Sequence, residues 1–276
     1  MISKRIFYLS LLIFVFCSGS VFAKDAPNLG YEKSSFEKHG AFYNVTAAYP
    51  KITDKLLSLD TRQKINNEIE QYVHKLMNDD LKAFIKGDSQ YTKEEIKEIA
   101  WRNTLEISFK VIRFDDHFIS IRFEKYRFEG GPHGVTDVYG FNYDIKRMSL
   151  VRLVDLFDPG TDYLRQLSGY CIKDLKRQWE PNPVGANWIM EGAAPKEEKL
   201  QEFAIGKNNL MIYFSEGQVD AYIAGTQKVK IPFKTLTGLK EAFVAVSAQD
   251  KVTKNNSSDA RVSGDVNVSA VHRKGF

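Results

Sequence analysis

The sequence predicts a single α+β domain in which two main helices pack on an antiparallel sheet. In two segments, residues 58–86 and 164–179, apolar side chains recur at helical spacing. Between these segments and after the second, the apolar period changes to two, which is typical of half-buried strands. Because 43% of the 276 residues are apolar, the chain can bury a sizeable core.

The first 23 residues have the three parts of a secretory signal peptide. Two basic residues, Lys4 and Arg5, precede an apolar run at residues 6–17. Small polar residues break that run, and Val21-Phe22-Ala23 places small side chains where a signal peptidase cleaves. The run is shorter than the roughly 20 apolar residues that a membrane-spanning helix needs. The sequence therefore predicts cleavage after residue 23 and a periplasmic or secreted mature protein without a membrane span.

The first part of the predicted mature chain contains one strand and one long helix. Residues 24–41 are polar and are predicted to be irregular, whereas Phe42–Ala48 is predicted to be a strand. A long helix over Ser58–Lys86 follows, because its apolar residues share one face, and Gly87 is a natural C-terminal stop. The capping-box pattern Thr92-Lys93-Glu94-Glu95 predicts a further short helix.

Three alternating segments predict an antiparallel meander in the centre of the chain: Leu105–Val111, Ile119–Phe128 and Tyr139–Ile145. Asp115-Asp116 is predicted to form the turn between the first two. In the second segment the apolar residues change parity, and this change predicts a β-bulge near Glu124–Lys125.

The C-terminal part begins with the second amphipathic helix, which is expected to end before Pro181 and Pro183. Residues 180–195 are then predicted to be a long loop. Three shorter elements follow: a helix within Pro195–Glu202 and strands at Leu210–Phe214 and Val229–Phe233. These elements define one domain over residues 42–247, followed by a polar tail, residues 248–276, that is predicted to be disordered.

Composition argues against several classes of function. The 39 basic residues, two of which lie in the predicted signal peptide, face 35 acidic residues. This near-neutral balance lacks the basic footprint of a nucleic-acid-binding protein and offers no polybasic membrane patch. Since Cys17 leaves with the signal peptide, Cys171 has no partner for a disulfide bond within the monomer.

No catalytic or metal-binding pattern is evident, and the sequence predicts no catalytic residue, metal site or cofactor. A nucleophile elbow needs Gly-x-Ser-x-Gly, which the mature chain lacks. Cys171 lies on the apolar stripe of the second helix, where a buried thiol is protonated and inert. The five histidines have no short spacing typical of metal ligands.

Four side chains are the candidates for a binding surface: Tyr126, Phe128, His133 and Trp188. His133 lies in the connection Gly130-Gly131-Pro132-His133-Gly134, where its imidazole either binds a ligand or hydrogen-bonds a carbonyl that locks the turn. Trp188 lies in the predicted loop at residues 180–195. There it is either a binding anchor or a cap that folds back on the core.

Short motifs follow one another in a fixed order over roughly residues 40–240: Gly130-Gly131-Pro132-His133-Gly134, Asn142-Tyr143-Asp144, Leu153-Val154-Asp155-Leu156-Phe157, Gln218-Val219, Tyr222-Ile223-Ala224-Gly225 and Val229-Lys230-Ile231-Pro232-Phe233. In this order they resemble a family of extracytoplasmic domains that includes the sensor domain of the lysozyme-responsive anti-sigma factor RsiV. Related domains precede the catalytic part of some peptidoglycan deacetylases. Where many members have Pro-Tyr before the glutamine, this chain has Glu216-Gly217.

The resemblance implies an α+β domain that binds a partner at the cell envelope without covalent chemistry. Because RsiV-like sensors bind lysozyme, the expected ligand is a lysozyme-like protein or a cell-wall glycan. A receptor for a basic lysozyme usually presents an acidic face. The candidates for such a face are Asp115, Asp116, Glu129 and Asp137.

Two other functions stay open at this stage. The relation to deacetylases motivates an envelope hydrolase that acts on peptidoglycan or a related glycan, and a structural envelope protein tethered by its tail is the third alternative. Catalysis requires a cleft with a perturbed acid or histidine, whereas a binding protein presents an aromatic patch. The oligomeric state is not determined by the sequence.

Overall fold

Two β-sheets, rather than one, form the framework of the part of the chain that the computed structural model describes, which comprises residues 30–90, 92, 94–95, 102–178 and 186–244. The predicted signal peptide and the predicted tail at residues 248–276 lie outside these ranges. Within them, no helix is long and apolar enough to cross a membrane.

The first sheet contains six strands in sequence order: β1 (Tyr31–His39), β2 (Tyr43–Ile52), β3 (Asn103–Phe114), β4 (Phe118–Phe128), β5 (Val135–Asp144) and β6 (Ser149–Leu150). Strands β3, β4 and β5 form the predicted antiparallel meander. Strands β2 and β3 are parallel, because helix α1 (Leu59–Asp88) lies between them as a crossover. The sheet is therefore mixed, and the prediction of a purely antiparallel sheet is wrong.

Helix α1 covers one face of the first sheet, as its apolar stripe predicts. Ile65, Ile69 and Val73 are buried there against strand residues such as Leu105 and Phe123. The helix begins after Ser58, whose hydroxyl accepts a hydrogen bond from the Thr61 N–H at 3.2 Å. It continues through Gly87 and ends at Asp88, slightly beyond the predicted stop.

Strand β1 corrects the prediction that residues 24–41 are irregular. It pairs antiparallel with β2 along its whole length, and its Phe36 ring packs edge-on against His74 of α1 at 5.6 Å. Most of its side chains are charged or polar and exposed. Such a composition is usual for an edge strand, where charges prevent pairing with other chains, and in a sequence it is easily read as a loop.

The predicted bulge near Glu124–Lys125 is also wrong, because β4 pairs with β5 in one continuous register. The parity change has another cause: both faces of β4 are buried. Ile121 and Phe123 face α1, and Ser120 on the opposite face contacts the second sheet. The register shift of the meander lies in β3 instead, between Val111 and Arg113.

The second sheet is a three-stranded antiparallel meander of β7 (Phe203–Ile205), β8 (Asn209–Phe214) and β9 (Gln227–Pro232). Four helices accompany it: α2 (Tyr163–Gln178), α3 (Ala186–Gly192), α4 (Glu197–Leu200) and α5 (Glu241–Val244). Cys171 of α2 is buried in this core, and burial raises the pKa of its thiol well above the ordinary value. The two main helices thus pack on different sheets rather than on one.

Side chains that flank the strands of the second sheet accept hydrogen bonds from the outer edge of β5, where β6 does not pair. The N–H groups of Thr136, Val138 and Gly140 donate to Glu216, Ser215 and Glu202 at 2.7, 3.0 and 2.8 Å. The three N–H groups belong to alternate residues of β5, as expected for N–H groups that face the same edge of a strand. The edge is therefore closed by a row of side-chain acceptors.

Asn142 adds a buried link between the sheets. Its amide nitrogen donates to the Phe203 carbonyl at 2.8 Å, and its amide oxygen accepts from the Ser120 hydroxyl and the Ile205 N–H. Because a buried amide is costly unless its hydrogen bonds are made, this residue fixes how the sheets meet. The Asn142-Tyr143-Asp144 motif therefore has a structural role.

The Glu202 carboxyl at this junction predicts a pH-dependent stability. Burial, together with the nearby Asp137, raises its pKa from 4.5 to about 7, against the hydrogen bond from Gly140. Because the folded state binds this proton more tightly than the unfolded chain, the stabilising contribution is complete below pH 4.5. It is lost as the pH rises through 7.

Replacing Glu202 with glutamine is expected to flatten this decline, since the amide stays neutral and still accepts from Gly140. At pH 8 the variant should gain on the order of 1–3 kcal/mol in free energy of unfolding over the wild type. Urea unfolding at pH 5 and pH 8 measures the effect, with the exposed Glu198→Gln as control. Identical pH profiles for wild type and Glu202→Gln would contradict the assignment.

Candidate functional site

An exposed cluster of rings, His133, Trp188 and Tyr222, is the candidate binding site and is called the aromatic patch below. Three segments supply it: the β4–β5 connection, helix α3, and the connection between β8 and β9 at residues 215–226. Two of its members, His133 and Trp188, are among the residues that the sequence selects. The structure brings these two together through a third segment.

Gln218 holds helix α3 against the 215–226 connection. Its amide nitrogen donates to the carbonyls of Gly192 and Lys199 at 2.9 and 3.0 Å, and its amide oxygen accepts from the Ser215 N–H. The Gly192 backbone lies so close to Gln218 that a Cβ there would come within 1.9 Å of the Gln218 carbonyl oxygen. The position of Trp188 relative to the connection is therefore fixed by backbone contacts.

Tyr222 joins the other two rings. Its ring centroid lies 5.9 Å from that of His133. The ring also lies over Gly217, which has a φ of 77° and no room for a side chain. The Gly217 carbonyl in turn accepts a hydrogen bond from the Trp188 indole N–H at 2.9 Å. A continuous line of contacts thus runs from His133 to Trp188.

Trp188 lies on a helix and not in the predicted long loop. Residues 186–192 form α3, where Ile189 turns into the core and Trp188 remains 41% exposed. A hydrogen bond fixes its indole, but the ring does not fold back to cap the core. Of the two alternatives for this residue, the geometry favours the exposed anchor.

His133 is exposed, and its Nδ1 lies 3.0 Å from the carbonyl oxygen of Gly134. This contact corresponds to the turn-locking alternative, while exposure and the Tyr222 contact leave the ring accessible to a ligand. Tyr126 is half-buried beside it, with its ring over Gly134. Phe128, also half-buried, lies two residues further along the same face of β4. These two residues flank the aromatic patch rather than form it.

Tyr222, which is 50% exposed, belongs to a motif of the resemblance but is not among the residues selected from the sequence. The adjacent Ile223 is 98% exposed, and Met190 of α3 is 51% exposed. The sequence contains a signal for exposure here, because two large side chains, Tyr222 and Ile223, lie close to Gly225 in the connection between β8 and β9. Their exposure, however, depends on the turn at Tyr222–Ala224.

The expected acidic face is not formed. Asp115 and Asp116 lie in the turn before β4, whereas Glu129 and Asp137 lie at its other end. An 11-residue strand separates these two pairs by about 30 Å. These four candidate carboxylates therefore do not converge on one face.

Glu202 is the acid whose pKa is raised to about 7 in the described part of the chain. It accepts a hydrogen bond from the backbone of β5 at the junction of the sheets, and it does not line the surface clefts at Tyr170–Arg177 and at Tyr213–Lys230. Among the same residues, no group of three His, Cys, Asp or Glu side chains is placed to hold a metal ion. The geometry of the patch is suited to non-covalent binding.

Two protein-family models match successive parts of the chain. Residues 36–136 match the family described as Deacetylase PdaC, and residues 154–234 match Protein of unknown function (DUF3298). The first match includes α1 and most of the first sheet, and the second includes α2 and the second sheet. The resemblance to domains associated with peptidoglycan deacetylases is thus confirmed.

Two curated relatives share part of this sequence. The peptidoglycan-N-acetylmuramic acid deacetylase PdaC of Bacillus subtilis is 30% identical over 174 residues, which are 61% of this chain and 37% of the relative. Esterase Rv3036c of Mycobacterium tuberculosis is 28% identical over 103 residues, which are 37% of this chain and 44% of the relative. The chain therefore spans less than half the length of either relative.

A solved structure has the same fold. It is the crystal structure of a DUF3298 family protein from Pseudomonas aeruginosa PAO1, which superposes with a TM-score of 0.50 at 15% sequence identity. The match covers 77% of this chain and 94% of the other. The likeness supports the arrangement of helices and sheets described above.

Proposed function

We propose that this chain is an extracytoplasmic, non-catalytic binding domain of the cell envelope, and that its aromatic patch binds the glycan of peptidoglycan. The observation that carries the proposal is the line of contacts from His133 through Tyr222 and Gly217 to Trp188. It presents two large rings, each about half exposed, in a fixed arrangement. Such preorganised rings lose little conformational entropy when a ligand binds.

The chemistry of the patch suits a polar ligand with apolar faces. Tyrosine and tryptophan combine an apolar ring with a polar tip and are frequent where one side of a surface is apolar and the other is wet. His133 adds an exposed imidazole that donates or accepts a hydrogen bond. A sugar ring offers both apolar C–H faces and hydroxyl groups, so it matches this combination.

The comparisons favour the glycan over a lysozyme-like protein. The PdaC relative is named for its action on peptidoglycan N-acetylmuramic acid. A receptor for a basic lysozyme usually presents an acidic surface, and the four candidate carboxylates lie at opposite ends of β4. The proposal therefore assigns the patch to the cell-wall polymer, with lysozyme as a partner that the experiment tests.

An envelope hydrolase is the alternative enzyme class. The esterase and deacetylase names of the relatives motivate it, but the chain spans less than half of each. The Glu202 carboxyl accepts a hydrogen bond from the Gly140 N–H of β5 at the junction of the sheets. The proposal therefore assigns no catalytic residue.

Cosedimentation with purified insoluble peptidoglycan tests the proposal. At micromolar concentration the chain is expected to pellet with the polymer in a saturable manner, and to leave the polymer undigested and its acetyl groups in place. A parallel titration with a c-type lysozyme is expected to show no saturable, salt-sensitive binding. Lysozyme binding without cosedimentation would overturn the choice of ligand, and release of fragments or acetate would overturn the non-catalytic assignment.

A further inference from the structure

A second surface feature lies beyond the aromatic patch, in a cleft of about 380 Å³. Its walls come from α2, β4, β8, β9 and the residue that precedes β9. The described residues that line it are Arg122, Asp174, Gln178, Tyr213, Thr226, Gln227, Lys228 and Lys230. Apart from the Tyr213 ring, these side chains are charged or polar without a ring, so the cleft differs in character from the patch.

Two lysines give the cleft an uncompensated positive charge. Lys228 and Lys230 are alternate residues of β9, so they extend from the same face, and both are exposed. Within the described ranges neither forms an ion pair. They lie opposite Tyr213 and Met211 of β8.

Arg122 provides a third cation at the base of the cleft. Its guanidinium stands 5.7 Å from the centroid of the Tyr213 ring and donates to Glu124 at 2.7 Å. Its side chain is 22% exposed. Because Glu124 neutralises Arg122, the net charge of the cleft depends on the two lysines and on Asp174.

The Asp174 carboxylate is already engaged within α2. It accepts hydrogen bonds from the Arg177 guanidinium and from the Gln178 amide nitrogen. Because Arg177 compensates its charge, Asp174 repels an anion less than a free carboxylate would, and the two lysines determine the sign of the field. The cleft is therefore selective for negative charge.

The amide side chains add acceptors to this site. Gln178 and Gln227 both use their amide nitrogens within the protein, the first for Asp174 and the second for the Ala224 carbonyl. Their amide oxygens have no hydrogen-bond partner among the described residues. A ligand that carries an anionic group together with hydroxyl groups can use both the ammonium donors and these acceptors.

We infer that this cleft is a binding site for an anionic group, a carboxylate or a phosphate, carried on a hydroxyl-bearing molecule such as a sugar acid or a phosphorylated polyol. The inference is carried by the two unpaired lysines and the two amide side chains around one cavity. It does not depend on the aromatic patch. Thr226 of the cleft follows Tyr222 of the patch by four residues, so their Cα atoms are at most about 14 Å apart.

Calorimetric titration of the full chain with citrate and, separately, with tripolyphosphate tests this inference. The wild type is expected to bind at least one probe saturably, and Lys228→Glu/Lys230→Glu is expected to weaken that binding about tenfold or more. Lys33→Glu/Lys38→Glu on β1 is the matched control, because it makes the same change in net charge on exposed residues of a remote strand. The control should stay within about twofold of the wild type, since salt screens remote charges.

Binding of citrate alone would assign the site to carboxylates, and binding of tripolyphosphate alone would assign it to phosphates. No saturable binding of either probe, or an equal loss in both double variants, would overturn the site. Circular dichroism and thermal unfolding check that the variants are folded. The double variant Trp188→Ala/Tyr222→Ala should retain probe binding, which separates this result from the test of the patch.

Discussion

Replacing Gly140 with alanine is expected to destabilise the fold by about 3 kcal/mol or more. A Cβ at this position of β5 would lie 2.1 Å from the carbonyl oxygen and 2.8 Å from the nitrogen of Phe203. Both are backbone atoms, so no side-chain rotation relieves the clash. Separating the strands would break the hydrogen bonds that Glu202 and Asn142 make across the junction.

Gly87→Ala is the matched control for this substitution. Gly87 lies inside helix α1, and a new Cβ would meet no atom within 4 Å apart from its chain neighbours and the backbone of its own helix. Alanine is favoured over glycine in a helix, so this variant should be neutral or more stable by up to about 1 kcal/mol. Urea unfolding of both variants measures the difference. A Gly140→Ala protein as stable as the wild type would show that the two sheets do not meet as described.

Removing both rings of the aromatic patch is expected to abolish most of the binding to peptidoglycan. Because central aromatic anchors each contribute about 2 kcal/mol or more at binding surfaces, Trp188→Ala/Tyr222→Ala should weaken affinity by about 100-fold or more. Stability should change little, since both rings are about half exposed. Cosedimentation at increasing amounts of polymer measures the affinity.

Leu56→Ala/Leu59→Ala is the control for the loss of exposed apolar surface. These leucines precede and begin α1 and are 94% and 60% exposed. Their removal should leave binding unchanged if the patch provides recognition. Equal losses in the two double variants would indicate non-specific adhesion to the polymer.

Trp188→Phe separates the ring from its hydrogen bond. Phenylalanine keeps an aromatic side chain on α3 but cannot donate to the Gly217 carbonyl. We expect a partial loss of affinity, about tenfold, because the ring is less well positioned for binding. An unchanged affinity would show that the indole N–H has no part in positioning the patch.

Local periodicity in the sequence predicts an element well when only one face of that strand or helix is buried. The apolar stripe of α1 and the alternation in β3 and β5 are such patterns, and the structure has these elements close to the predicted positions. The capping box is also present, since Thr92 and Glu95 hydrogen-bond reciprocally. In these cases the information lies within a few residues of the chain.

The division into two sheets could not be predicted in the same way. Strand β4 is covered on both sides by elements distant in sequence, so its apolar residues lose a clean alternation and suggest a bulge. Gly140 and Asn142 are critical at the junction because the Phe203 backbone packs against them. Phe203 follows them in the chain by about 60 residues. Only the tertiary structure shows this approach.

The candidate site was partly predicted for a similar reason. The sequence favours Trp188 and His133 because large or titratable side chains in Gly-rich and Pro-rich surroundings are often exposed. The sequence does not indicate Tyr222, because its role depends on its contact with His133 and on the backbone of Gly217 beneath it. The four acidic residues do not form one face, because residues next to opposite ends of one strand are far apart in space.

Nuclear magnetic resonance of the Trp188 indole N–H tests the central proposal most directly. Soluble peptidoglycan fragments would be titrated into the chain, with the resonance assigned by its absence in Trp188→Phe. We expect its chemical shift to change saturably, together with the ring signals of Tyr222 and His133, because these groups form one patch. Saturable binding that leaves these three residues unperturbed would contradict the assignment of the aromatic patch as the glycan-binding site.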